Sequence, residues 1–248
     1  MTHKPTQEQQ AIIDAATSTT DNILVSALAG AAKTSTLEMV AHALPSVNMV
    51  CLAFNKAIAV EMKKRLPSNC TSLTLNSLGH RVWGQYLGKR LTLNKGKMFE
   101  ILSEIVNEYK GEESTYLFDN FAVMLKVCNE AKSSGHLPDK FVRENHKAPE
   151  PVWDDEQLFE QSDEILEPIL QDVILDALNK SARQSMQGII DFGDQVLFPS
   201  LYRCSYPIHS LILVDETQDL SALNHRMLQQ LYRRRIIAVG DECQAIYG

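Results

Sequence analysis

The stretch LILVDETQD at residues 211–219 constrains this chain more than any other. Its four consecutive apolar residues read as a buried strand of a parallel sheet. Two adjacent carboxylates, Asp215 and Glu216, end that strand. They fall where an open α/β sheet gathers its ligands, at the carboxyl ends of the strands. One carboxylate can hold a divalent metal while its neighbour orients or deprotonates a water. Hydrolysis of a nucleoside triphosphate needs that pairing.

A partner for those carboxylates lies far upstream. Residues 22–34, NILVSALAGAAKT, read as a strand, a loop of small residues and a helix from about Lys33. The backbone N–H groups of Ala29, Gly30, Ala31 and Ala32, with Ser35 in the first helical turn, can face phosphate oxygens. Lys33 is expected to reach the terminal phosphates, and the Thr34 hydroxyl to bind Mg²⁺. The pattern G-x-x-x-x-G-K-[ST] has glycine where this chain has Ala27 and Ala32. An ordinary strand–turn–helix junction is the competing reading. A Cβ at position 32 fits the phosphate reading only with φ below zero.

The chain of 248 residues is long enough for one large domain or two small ones. No apolar run approaches the length of a membrane-spanning helix, and residues 1–6 do not resemble a signal peptide, so no membrane association is expected. Cys51, Cys70, Cys128, Cys204 and Cys243 show no paired spacing, as expected of reduced thiols in a cytoplasmic protein. A net charge of −7 argues against binding nucleic acid through bulk charge. It leaves room for a local track. Basic clusters stand at Lys63–Lys64–Arg65, at Lys89–Arg90 with Lys95 and Lys97, and at Arg233–Arg234–Arg235. Each is either a solvated helix face or a nucleic-acid contact.

Strands are expected near 23–27, 48–54, 71–75, 210–214 and 236–240. The first three alternate with helical patterns, the βαβ rhythm of a parallel sheet. Thr6 and Gln9 have the spacing of a capping box at the start of the first helix. Strand signals vanish between about 76 and 185. There Phe99, Leu102, Ile105 and Val106 share a helix face, and Ile165, Ile169 and Val173 share another. Pro168 sits near a helix start or kinks the segment. Residues 133–153 read as loop. The fold class is therefore α/β. A parallel sheet built from 1–75 and 186–248 receives a helical insertion at 76–185.

Together these motifs resemble the UvrD/Rep-like superfamily 1 DNA helicases, including the F-box DNA helicase branch. Residues 6–13 resemble the family's Q motif, and residues 27–34 its phosphate loop. Residues 52–62 are similar to motif Ia, and Thr74 to His80 to motif Ib. Ile190 to Asp194 resembles the segment that precedes motif II. The D-E-x-Q-D of Asp215 to Asp219 resembles motif II itself, and V-G-D-x-x-Q-x-I-Y-G from Val239 to Gly248 resembles motif III.

The resemblance implies a RecA-like P-loop NTPase sheet that uses ATP and Mg²⁺ and travels 3′ to 5′ on single-stranded DNA. It implies that Gln9 reads the adenine edge and that Lys33 and Thr34 hold phosphate and Mg²⁺. Asp215 would complete the metal shell, and Glu216 would activate water. Gln244 would sense the γ-phosphate. Phe54, Asn55, Lys56, Thr74, Asn76, Ser77 and Tyr247 would lie along DNA. Phe54 has a second reading, as the end of a buried strand, and Gln9 as a helix cap.

Ala32, Asn76 and Ala245 depart from the family pattern, which favours Gly, His and Ser there. The family's second RecA-like domain follows motif III and supplies arginines to the γ-phosphate. The 248 residues are therefore expected to be half of a motor, inactive or weakly active until a second domain or partner chain completes the ATP site. A bacterial or phage-infected cytoplasm suits such a protein. Two other readings stand beside the helicase: a non-catalytic ATP- or DNA-binding module, and a subunit of a helicase–nuclease.

Overall fold

Leu211–Val214 is buried along its whole length, and that burial decides its place inside the sheet. The computed structural model describes residues 4–28, 32–145, 148–231 and 235–241. In chain order the elements are α1 (Gln7–Ser18), β1 (Ile23–Ser26), α2 (Lys33–Ala43), β2 (Met49–Leu52), α3 (Lys56–Arg65), β3 (Cys70–Leu73) and α4 (Leu75–Leu87). There follow β4 (Thr92–Leu93), α5 (Lys97–Val106), α6 (Glu112–Asp119), α7 (Phe121–Ser134), α8 (Asp139–Glu144), α9 (Asp155–Glu160), α10 (Pro168–Gln187), β5 (Ile189–Ile190) and α11 (Asp194–Leu201). The chain closes with β6 (Leu211–Val214), a 3₁₀ turn (Thr217–Asp219), α12 (Ala222–Leu231) and β7 (Ile236–Gly240).

Five strands form one sheet in the order β1-β7-β6-β2-β3, and every pairing is parallel. Parallel strands need crossovers: α3 joins the neighbours β2 and β3, α12 joins the neighbours β6 and β7, and α2 carries the chain from β1 to β2 past the positions of β7 and β6. Alternate residues point to opposite faces. Leu211, Leu213, Ile237 and Val239 therefore meet Leu37, Val40 and Ala41 of α2 and Ala16 of α1 in one apolar core. Arg235 closes α1 from outside, donating to the Ala16 carbonyl at 2.7 Å and to the Asp21 carbonyl at 2.7 Å. It is thus a helix-end cap rather than part of an open basic cluster. Arg233 and Arg234 lie outside the described residues.

The chain divides into two compact units, 1–78 with 206–248, and 79–205. The second boundary falls at 205/206, not at the 185/186 expected from the sequence. The reason is burial within the second unit. Trp83 stacks on Phe198 with ring centroids 5.0 Å apart, and Tyr202 packs against both. Residues 189–202 cannot leave the helical unit without exposing these rings.

Inside that unit, Leu102, Ile105 and Val106 of α5 pack with Val127 and Cys128 of α7 and Leu170, Val173 and Ile174 of α10. Four expectations fail here. Phe99 is exposed, because the buried stripe of α5 is centred on Met98, Ile101 and Ile105, and its ring meets Phe121 edge-on. Ile165 is fully exposed because α10 begins only at Pro168, which takes the first helical position without kinking the helix. The region also carries a two-stranded parallel sheet, β4 with β5, and the expected loop at 133–153 contains α8.

A buried ion-pair network ties this unit together. Lys97 Nζ lies 2.7 Å from Asp194, both fully buried, and Lys132 Nζ lies 2.9 Å from the same carboxylate. Lys97 is thereby removed from the basic surface cluster to which its neighbours in sequence assigned it. Burial pushes the Asp194 carboxyl up, but Lys132 and Lys97 more than offset this and hold it at about 2. Among the described residues no helix is long and apolar enough to cross a membrane.

Candidate active site

The site forms where β6 ends. The Asp215 amide donates to the Leu52 carbonyl at 3.1 Å, which extends the pairing with β2 by one residue. Asp215 is therefore held rigidly and is almost wholly buried. Its Oδ2 accepts from Thr34 Oγ1 at 2.7 Å, and its Oδ1 from the Glu216 amide at 3.1 Å. Burial pushes the Asp215 carboxyl up, opposed by the Thr34 hydrogen bond. Lys33 and the Thr34 hydroxyl compensate a carboxylate in so dry a place only in part, and a bound cation would supply the rest. A hydroxyl oxygen beside a carboxylate oxygen also suits a hard divalent ion. No cluster of three or more His, Cys, Asp or Glu side chains accompanies it among the described residues. Mg²⁺ commonly takes one or two protein ligands and completes its shell with phosphate oxygens and water, so the donor set fits.

Glu216 turns the chain sharply, with φ at 50° in the left-handed region. Non-glycine residues cost roughly 1–2 kcal/mol in that conformation. The turn aims the Glu216 carboxylate at Lys33, with Nζ to Oε2 at 2.9 Å. Gln218 Nε2 donates to the same oxygen at 2.8 Å. Two pairs thus meet across the sheet ends: Thr34 with Asp215, and Lys33 with Glu216.

Ala32 is the second residue at positive φ, at 54°. The condition that its φ be negative is not met. The backbone takes the conformation that glycine would adopt without cost, and the methyl group is carried as strain. The N-terminus of α2 has no side-chain cap. Its free amides, with the positive end of the helix dipole, suit phosphate oxygens. Ala29, Gly30 and Ala31 lie outside the described residues, as do Gln244 and Tyr247.

Gln9 does cap α1, accepting from the Thr6 amide at 3.1 Å. Its amide nitrogen also donates to Thr36 Oγ1 at 3.1 Å, which braces α1 against the first turns of α2. Ser35 departs from expectation. Its Oγ accepts from Arg65 of α3 at 3.3 Å. Successive helix residues point about 100° apart, so with Thr34 facing Asp215, Ser35 is turned toward α3.

Beyond β2 and β3 lies a second group. Phe54 is 45% exposed, which rejects the buried-strand reading: β2 ends at Leu52, two residues earlier. Asn55 caps α3, accepting from the Ile58 amide at 2.9 Å, and Lys56 is exposed beside it. Thr74 and Ser77 cap α4 reciprocally, each accepting from the other's amide at 3.1 Å. Asn76 is half-buried between them. Because β2 and β3 are neighbours, these residues form one lip along the carboxyl edge of the sheet.

The sequence reading passed over Gln218, although it stands in the D-E-x-Q-D motif. It also missed an apolar cavity of about 450 Å³ against β1, β6 and β7, lined by Leu24, Leu220, Leu228 and Ala238 among others.

A family model described as an AAA domain matches residues 8–248, nearly the whole chain, and the chain belongs to that family. Its fold is the mixed α/β, all-parallel sheet of a RecA-like P-loop domain. Such a domain binds nucleotide with Mg²⁺ and belongs to the NTP-hydrolysing class.

Proposed function

We propose that this P-loop domain is the ATP-hydrolysing motor domain of a DNA helicase or translocase of the UvrD/Rep-like superfamily 1, in its F-box branch. One observation carries the reading. Lys33 and Thr34 lie about 180 residues before Glu216 and Asp215, yet they meet them pairwise at 2.9 and 2.7 Å.

ATP with Mg²⁺ supplies the electrophilic phosphorus and the Lewis acid that offsets charge on its oxygens. Thr34 and Asp215 are the residues that would hold the cation. Lys33 and the α2 N-terminus would hold the phosphates, and Lys33 offsets charge on the oxygen atoms. Glu216 then orients a water and accepts its proton. The Lys33–Glu216 contact at 2.9 Å holds both side chains at the ends of the strands.

Single-stranded DNA would run along the lip of Phe54, Asn55, Lys56, Thr74, Asn76 and Ser77. An exposed ring offers a stacking face for any base, and the two helix N-termini offer partial positive charge to the backbone. A second RecA-like domain, in this protein or a partner chain, would add the arginine that such sites use for a further 10³–10⁵ or so in rate. The free thiols of Cys51, Cys70, Cys128 and Cys204 support a reducing cytoplasm.

The non-catalytic ATP- or DNA-binding module has one observation in its favour, the methyl group of Ala32 in left-handed backbone beside the phosphate position. Glu216→Gln separates the two. Equilibrium binding of ATP–Mg²⁺ should survive the change, while turnover measured with single-stranded DNA falls by about 10²–10⁴. Retained turnover would remove Glu216 from the role. Absence of turnover in the unchanged chain, even with a second domain supplied, would favour the module. Phe54→Ala should weaken binding of a labelled oligonucleotide by about 1–3 kcal/mol whatever its sequence.

A further inference from the structure

Gln218 holds two structures at once. Its Nε2 donates to Glu216 Oε2 at 2.8 Å, and its Oε1 accepts from the Asp241 amide at 2.9 Å. The orientation of this amide is not arbitrary. A backbone N–H can only donate, so the carbonyl oxygen must face Asp241 and the NH₂ group must face the carboxylate. The surroundings fix the same arrangement. Thr217 Oγ1 donates to the Val239 carbonyl at 3.2 Å. A Cβ on Gly240 would collide with Thr217 Oγ1 and lie 3.1 Å from Gln218 Oε1. The 3₁₀ turn is therefore pressed onto the end of β7 with no room for a side chain between them.

We propose that Gln218 is a positioning residue that holds the Glu216 carboxylate and ties it to the end of β7, so that a change at the Lys33–Glu216 pair is felt at Asp241. The inference rests on the nucleotide-hydrolysing reading of the site. Glu216 has two partners for one oxygen, Lys33 and Gln218. When phosphate oxygens claim Lys33, Gln218 is the partner that keeps Glu216 aimed. Because the amide is planar and rigid, any shift of Glu216 is passed to the Asp241 N–H, and a shift of Asp241 is passed back. Asp241 directly follows β7, so the tie gives the nucleotide site a physical link to the end of that strand.

Two substitutions separate the halves of the tie. Gln218→Met has similar length and makes neither bond. Gln218→Glu keeps an acceptor for Asp241 but sets a second carboxylate against Glu216. The experiment compares both with the unchanged chain by amide hydrogen exchange at Asp241, with and without ATP–Mg²⁺, and by kcat and KM for ATP across pH with single-stranded DNA present. In the unchanged chain ATP–Mg²⁺ should alter Asp241 exchange. In Gln218→Met exchange at Asp241 should rise about tenfold, as for loss of one hydrogen bond, and cease to respond to nucleotide. In Gln218→Glu the protection should persist. Where turnover is measurable, kcat should fall roughly 10–100-fold in both variants with KM within about threefold. The acidic limb of the Gln218→Glu profile should move up by about one pH unit.

Unaltered exchange in Gln218→Met, or nucleotide bound without any effect on Asp241 in the unchanged chain, would overturn the proposal. So would a loss of stability and KM alone with the pH limb in place, which is what simple packing predicts. If equilibrium dialysis finds no ATP–Mg²⁺ bound to the unchanged chain, the hydrolase reading fails separately and the coupling fails with it. The exchange rate in Gln218→Met then still tells whether the Asp241 bond exists.

Discussion

Replacing Ala32 by glycine should make this protein more stable. Ala32 sits at φ 54° and ψ 39°, the centre of the left-handed region. An L-residue with a Cβ pays roughly 1–2 kcal/mol there, while glycine pays almost nothing. Against this, glycine adds unfolded-state freedom that costs about 0.5–1 kcal/mol on folding. The difference favours Ala32→Gly by about 0.5–1 kcal/mol. For a chain of this size that corresponds to a rise of about 1–4 °C in Tm. Ala27 provides an internal control. It is the other alanine at a family glycine position, but it is not among the residues at positive φ, and its amide donates to the Gly240 carbonyl at 2.9 Å. Ala27→Gly should therefore destabilise by about 0.5–1 kcal/mol, with the opposite sign. Thermal melts followed by circular dichroism, with ATP–Mg²⁺ titrations on the same samples, test both. Affinity should rise in Ala32→Gly, because the methyl group no longer stands at the phosphate approach. Shifts of the same sign in the two variants would refute the backbone argument.

Three further outcomes follow from the geometry. Because burial raises the Asp215 carboxyl, its ionised form opposes folding at neutral pH, so Asp215→Asn should raise Tm without nucleotide while weakening ATP–Mg²⁺ binding. Gly240→Ala should cost about 1–3 kcal/mol by overpacking against Thr217, and Thr217→Ala should recover part of that loss in a double-mutant cycle of denaturant melts. Asp194 is held at about 2, below the ordinary carboxyl value near 3.9, so its ion pairs stabilise fully above that value and fade as pH falls toward 2. Asp194→Asn should cost about 3–5 kcal/mol at neutral pH, by leaving Lys97 and Lys132 uncompensated, and should flatten the acid limb of the stability curve.

The sheet was legible because its signal is local. A run such as LILV can satisfy its backbone and bury its side chains in few ways, and all five expected strands form within about two residues of their expected limits. Lys33, Thr34, Asp215 and Glu216 were legible as two groups because each group is contiguous in the chain, Lys-Thr after a loop of small residues and Asp-Glu after an apolar run, and the fold brings the two groups together. Much less visible were the choices made by packing. Nothing in the spacing of Lys97 separates it from Lys95, yet one is wholly buried against Asp194 and the other lies near the ring of Phe192. Arg235 reads as the end of a basic run, but Arg235 is spent on the last turn of α1.

What the amino-acid order determined on its own was the strand pattern, the phosphate-loop chemistry and the paired carboxylates, since each depends on residues adjacent in the chain. The tertiary structure alone decided which oxygen meets which donor. It set Ala32 and Glu216 in left-handed backbone, turned Ser35 to Arg65 and stretched Gln218 between Glu216 and Asp241. Site contacts of this kind join segments far apart in the chain, 181 residues for Thr34 and Asp215. Their geometry exists only once the parallel sheet has aligned the carboxyl ends of its strands, because no local propensity carries information about a partner that distant.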